Sequence, residues 1–312
     1  QAMELNELNK ILFGSKISRE GMERMNKLGL LPELSDIKDW KKTFCGRFIC
    51  RYPKYYGIIT KMQKLLGRLP EWEDFTKSNI DDILSLFSSC SPSSVRTYTA
   101  MLKAVLNDGK DEFVLPYPKF AERLNVKGTP SVNVYLNLDE LSRLEQYRPK
   151  NEKENIVLAQ FLIGCYTGAR HSDILEMTGE NIQGGYITYV SKKTNIAATI
   201  EAKPILKKLL PIAGRRKYVD ACFNDTIRDI CRECDINGKI KLFRRGKNET
   251  GEKWQFVASH TARRSFATNL AELGVPLLQI AKRMGHSDIK MTQNYVVCGI
   301  GKLNEKASAF FM

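Results

Sequence analysis

Apolar residues recur at steps of three and four along most of this chain, and strict alternation is confined to one short region. Leu5, Leu8, Ile11 and Leu12 predict a helical lead-in that runs to about Pro32. Between Asp36 and Asn107 the pattern is helical throughout. Trp40, Phe44 and Phe48 step by four, and Ile58, Ile59, Met62, Leu65 and Leu66 form another stripe. Thr76-Lys77-Ser78-Asn79 stands before Ile80, Ile83, Leu84 and Phe87. Ser91-Pro92-Ser93 then opens a helix that turns Val95, Tyr98, Met101, Leu102 and Val105 inward. Stripes of this width bury only against one another, so a bundle of about four helices is expected.

The periodicity breaks from Asn107 to Asn137, where Pro116, Pro118, Gly128 and Pro130 predict an extended linker. The expected division is a lead-in over 1–32, a helical domain with linker over 33–130, and a second domain over 131–312. Asn137-Leu138-Asp139-Glu140 resembles a capping box and starts that second domain. Ile156 to Ile163 is a strongly apolar helix ending at Thr167-Gly168. The alternating run is Tyr186-Ile187-Thr188-Tyr189-Val190, with a return from Ile196 to Ile200, which predicts a hairpin turning through Lys192-Lys193-Thr194-Asn195. Pro204 to Leu210 and Cys222 to Cys234 read as helices. Lys239 to Phe243 and Trp254 to Val257 read as short strands around a polar loop, Gly246 to Lys253.

Near the end, Ala262, Phe266, Leu270 and Leu273 make a helical stripe that Gly274 terminates. Pro276 opens a helix burying Leu277, Ile280, Ala281 and Met284, and Gly285 stops it. Ser287 is placed to cap a third short helix, with Tyr295 at its far end. The predicted fold class is mainly α with a small β-sheet.

Composition narrows the function. A 312-residue chain that is 43% hydrophobic can build a sizeable core, and no uninterrupted apolar run is long enough to span a membrane. No secretory signal is visible, so a cytoplasmic location is expected. Gln1-Ala2-Met3 reads as an added or trimmed end. The net charge of +14 comes from basic residues spread through both halves, which points to nucleic acid as partner. The eight cysteines lack a disulfide spacing. Cys231-Arg232-Glu233-Cys234 sits inside a helical pattern without a second pair at zinc-finger spacing, so buried, reduced thiols are expected rather than a metal site. No glycine-rich phosphate loop occurs.

The residues with chemistry concentrate between Ser259 and Val296. His260 and Arg263 lie three apart, on one side of a helix's first turn, where backbone N–H groups favour a phosphate. His286 and Tyr295 follow. A tyrosine hydroxyl is a weak nucleophile unless its surroundings assist it. It can attack a phosphodiester if fixed donors neutralise the phosphoryl oxygens, and a guanidinium suits that role because its planar fork stays charged. The leaving sugar oxygen then needs a proton from an acid.

HTAR…MGHSDIKMTQNY and, upstream, TGARHSDILEM together resemble the tyrosine recombinase (phage integrase) family, with an Xer-like catalytic domain. The resemblance implies an N-terminal helical core-binding (SAM-like) domain and a C-terminal α+β catalytic domain. It implies that Tyr295 attacks DNA to form a 3′-phosphotyrosine while Arg170 and Arg263 hold the non-bridging oxygens. His260 assists proton movement at the tyrosine, and His286 donates to the phosphate. Lys193 matches the family's lysine-threonine turn best as acid for the 5′ oxygen, with Lys192 as competitor and DNA contact. Asp173 is placed to hold Arg170. Arg96 and Lys103 lie off the apolar stripe of their helix, as DNA contacts would. No metal or other cofactor is implied, since arginine and lysine supply the positive charge. The implied partners are a double-stranded recombination site, three further copies in a tetramer on DNA, and accessory DNA-bending proteins. Leu303, Ala307, Phe310, Phe311 and Met312 would dock on a neighbouring protomer, as in similar recombinases, or else fold back on their own domain. A type IB topoisomerase-like activity and a DNA-binding regulator with a disused site are the alternatives.

Overall fold

The computed structural model describes residues 2–127, 133–244 and 247–297. They form two compact units, one made by the chain up to Ser131 together with 244–247 and the other by 132–243 together with the chain from Asn248.

The described residues of the first unit up to 127 are helical or irregular. Its core joins Phe44, Phe48, Ile59, Phe87 and Leu106 to Leu8, Phe13, Met22 and Met25. The lead-in helices Ala2–Phe13 and Arg19–Lys27 therefore belong to this unit's packing. The regular step from Trp40 to Phe48 does not make one helix. Ile37–Trp40 stops, and the Thr43 hydroxyl accepts from the Gly46 N–H to start Phe44–Arg51. A Cβ at Gly46 would stand 2.0 Å from the Trp40 carbonyl oxygen, so only glycine permits this tight restart.

The linker is shorter than its prolines suggest. Pro92–Gly109 continues past Asn107, and Phe120–Arg123 makes one helical turn that buries Phe120 and Leu124 in the same core. Two apolar anchors are enough to hold a segment whose composition looks like a linker. Gly128, Pro130 and the whole segment Leu303–Met312 lie outside the described residues.

The second unit is built around Glu152–Thr167, which packs against Leu206–Ala213, Asp220–Glu233 and Ser259–Glu272. Its Val157, Leu158, Phe161 and Leu162 share a core with Phe223, Ile227 and Ile230. Its Ala159 and Ile163 share another with Ile174, Ile187, Ile200, Phe266 and Met284. A helix buried on both sides has no polar stripe, which is why its sequence is apolar all round. The hairpin forms as expected, Tyr186–Val190 antiparallel to Ala197–Glu201 with Ile187 opposite Ile200, and Ile182–Gln183 adds a third strand.

Three expectations near the end of the chain need correction. The polar stretch Lys247–Glu252 is a strand paired with Lys239–Arg244, whereas Lys253–Phe256 is a 3-10 turn. A two-stranded ribbon need not carry an apolar face, so nothing in its pattern announces it. Leu273 is 66% exposed, because Ser259–Glu272 ends just before it. Asp288, not Ser287, caps Ile289–Gln293 by accepting from the Lys290 N–H. Among the described residues no helix is long and apolar enough to cross a membrane.

Candidate active site

The second unit contains a cleft of about 790 Å³ whose walls include Arg170, Lys193, His260, Arg263 and Tyr295. These residues come from a helix start, a hairpin turn, a long helix and the end of a short helix. His286 stands behind Arg263.

Arg170 is placed by the break after Glu152–Thr167. Gly168 has φ +64, and a Cβ there would meet the Phe266 ring at 2.5 Å, so the chain turns sharply where a side chain would not fit. Arg170 then adopts an extended backbone before the short helix His171–Ile174, and its Nη1 donates to Ser191 Oγ at 2.6 Å. The expected pairing with Asp173 is not made. Asp173 Oδ1 instead accepts from the Lys192 backbone N–H at 3.1 Å, and its buried Oδ2 has no protein partner.

Arg263 is 1% exposed, although a guanidinium is costly to bury. It donates to the carbonyl of Gly168, to the carbonyl of Met284 at 2.8 Å and to His286 Nε2 at 2.6 Å. Its Nε–H is left over, as is the buried hydroxyl of neighbouring Tyr189. Burial, reinforced by Arg263 and Arg170, pushes the His286 pKa down to about 4, so its ring is neutral near pH 7. Accepting from Arg263 at Nε2 assigns the proton to Nδ1, which donates to Thr292 Oγ1 at 2.9 Å. His286 therefore orients Arg263 here and offers no donor to the cleft.

The half-buried Tyr295 ring lies 5.4 Å from the His286 ring. The guanidinium carbons of Arg263 and Arg264 are 5.2 and 5.4 Å from its centroid. The turn of the hairpin distinguishes its lysines. Lys192 forms an ion pair with Glu176 and is not part of the cleft wall, whereas exposed Lys193 is. Thr194 Oγ1 donates to the Gly285 carbonyl at 3.2 Å, tying the turn to the loop before His286. His260 has its pKa lowered by the surrounding protein and then by Arg264 and Arg263, which favours the neutral base. Among the described residues no group of three or more His, Cys, Asp or Glu side chains is arranged to hold a metal. Burial pushes the Cys231 thiol up and Cys234 to about 11, as expected of inert thiols.

The model of the phage integrase family matches residues 134–298, more than half of the chain. The chain belongs to the phage integrase family. It is similar to tyrosine recombinase XerD of Listeria innocua, with 28% identity over 224 residues that cover 66% of this chain and 71% of the relative. Among solved structures it is similar in fold to the XerH site-specific recombinase in a post-cleavage complex with a palindromic difH substrate. That likeness has a TM-score of 0.58 at 15% identity and covers 100% of this chain and 94% of the other. It is also similar in fold to a lambda integrase tetramer bound to a Holliday junction, with a TM-score of 0.55 at 17% identity over 82% and 79% of the two chains.

In this phage integrase family member several contributors escape a reading by motif. Ser191 and Thr292 are short side chains whose only signal is proximity to the lysine turn and the tyrosine. Gln160 is more legible, being the one amide in the apolar run Ile156 to Ile163. Fully buried, it donates to the carbonyls of Ala213 and Arg216 at 2.8 and 2.9 Å, and its Oε1 lies 3.0 Å from His171 Nε2. That network joins the loop carrying Lys217 and Tyr218, which also line the cleft, to the helix start beside Arg170.

Proposed function

We propose that this chain is a site-specific DNA recombinase that cuts a strand by forming a 3′-phosphotyrosyl bond at Tyr295 and rejoins strands by reversing that step. The observation that carries this reading is the convergence of Arg170, Lys193, His260, Arg263 and Tyr295 on one cleft from four stretches of chain. The Tyr295 oxygen attacks phosphorus while His260 takes its proton. The bond to the 5′ oxygen breaks, and Lys193 protonates that oxygen as it leaves. Arg170 and Arg263 hold the non-bridging oxygens, with the unused Nε–H of Arg263 as an available donor. For His286 to donate to the phosphate, Arg263 must turn toward substrate and the histidine must change tautomer. The phosphotyrosyl ester retains the energy of the original linkage, so a free 5′-hydroxyl reverses the step without ATP.

The partner this supports is a double-stranded recombination site, with exposed Arg96, half-buried Lys103 and the hairpin's Lys192 as further DNA contacts. Four protomers would act together, as the lambda integrase tetramer on its junction suggests. Accessory DNA-bending proteins and a cytoplasmic location belong to the same reading. The matched family model and the Xer relative favour strand exchange over topoisomerase-like relaxation. The retained set of charged side chains argues against a disused site. Sequencing DNA trapped covalently on the protein in excess chelator should show enrichment at one defined site with undiminished yield. Scattered positions would favour relaxation, and a requirement for restored magnesium would overturn the metal-free mechanism.

Lys193→Ala should slow cleavage by about 10²- to 10⁴-fold, the usual contribution of a positioned acid. A substrate with sulfur in place of the bridging 5′ oxygen should restore the rate, because a thiolate leaves without a proton. Rescue of Lys192→Ala instead would reassign the acid.

A further inference from the structure

Arg264 is outside the cleft wall, yet it holds the segment that carries the nucleophile. Its Nη1 donates to the Asn294 carbonyl at 2.7 Å, and its guanidinium carbon lies 5.4 Å from the Tyr295 ring centroid. Thr268 is four residues on, hence on the same face of Ser259–Glu272. Its hydroxyl donates to the Tyr295 carbonyl at 3.4 Å and accepts from the Val297 N–H at 3.0 Å. One helix thus grips the backbone before, at and after Tyr295. It needs to do so, because Ile289–Gln293 is five residues long and too short to keep a fixed position by itself.

We propose that Arg264, seconded by Thr268, is a positioning residue that latches Tyr295 onto the helix bearing Arg263. The attacking oxygen and the guanidinium that receives the phosphate are then held by one rigid element. The proposal rests on Tyr295 being the nucleophile.

The test separates placement of the tyrosine from binding of the phosphate. Arg264→Ala should slow adduct formation on a nicked duplex by about 10- to 100-fold, the scale of a misplaced reacting group, with DNA affinity unchanged. Arg264→Lys, which keeps a donor and a cation, should recover part of the rate. In a Tyr295→Ala background, hydroperoxide anion can replace the phenol, attacking phosphorus as the 5′ oxygen leaves with a proton. Adding Arg264→Ala there should change the peroxide rate by less than about twofold. Thr268→Val, which removes both hydrogen bonds at nearly constant volume, should show the same split even if Arg264→Ala folds poorly. Equal slowing in the tyrosine and peroxide reactions would overturn the latch, and so would an unslowed tyrosine reaction. If Tyr295→Ala still forms an adduct, the fault lies with the identity of the nucleophile and not with the latch.

Discussion

Tyr295→Phe should bind duplex DNA as the parent does and form no covalent adduct on a nicked substrate. The substitution removes one oxygen and leaves the ring, so its packing beside His286 and its contacts with Arg263 and Arg264 are kept. The fold and the cleft walls have no reason to change. Under the proposed mechanism the lost atom is the one that bonds to phosphorus, so the loss should be roughly a million-fold, as when an enzyme loses its nucleophile. Besides Tyr218, which also lines the cleft, the neighbouring phenol is Tyr189, close to Arg263. It is buried, and burial raises its pKa, both of which disfavour attack. A gel-resolved protein–DNA adduct and a binding isotherm on the same preparation check both halves of the expectation.

Arg263→Ala should have the second largest effect, and it should act on rate and stability together. Loss of a guanidinium that neutralises a transferring phosphoryl group costs about 10³- to 10⁵-fold. The same side chain satisfies the carbonyls of Gly168 and Met284, and leaving a buried acceptor unpaired costs about 1–3 kcal/mol. Gly168 precedes the turn to Arg170, and Met284 precedes the loop to His286. The substitution should therefore loosen both neighbours of the clamp and lower the melting temperature. Arg263→Lys should keep more of the stability than of the rate, because an ammonium retains the charge but lacks the planar fork. Single-turnover cleavage and a thermal melt separate the two losses. Near-parental cleavage by Arg263→Ala would remove Arg263 from the chemistry.

Much of the fold is legible because its elements bury one face. The stripes through Ile58, Ile80 and Phe266 and the alternation of the 186–200 hairpin follow directly from that constraint. Phe120 and the Lys247–Glu252 strand are hidden for opposite reasons. The first is one of only two buried apolar anchors, with Leu124, in a proline-containing segment, and the second is paired through its backbone without an apolar face. At the site, the motif spacing identifies which residues to suspect but not how they are held. Asp173 is three residues from Arg170, yet the extended backbone of Arg170 sends its guanidinium to Ser191. Likewise, which lysine faces the cleft depends on the ties of Lys192 to Asp173 and Glu176, contacts that no local pattern encodes.

In the proposed reaction Tyr295 becomes bonded to the 3′ phosphate while arginine and lysine supply the charge. The direct measurement is mass spectrometry of the proteolysed adduct, trapped on a nicked duplex in excess chelator. One modified peptide is expected, containing Tyr295, with phosphate linking it to the 3′ end of the DNA and a free 5′-hydroxyl on the released strand. A nucleotide on any other residue, a 5′-phosphate on the released strand, or no adduct until magnesium is restored would contradict this reaction.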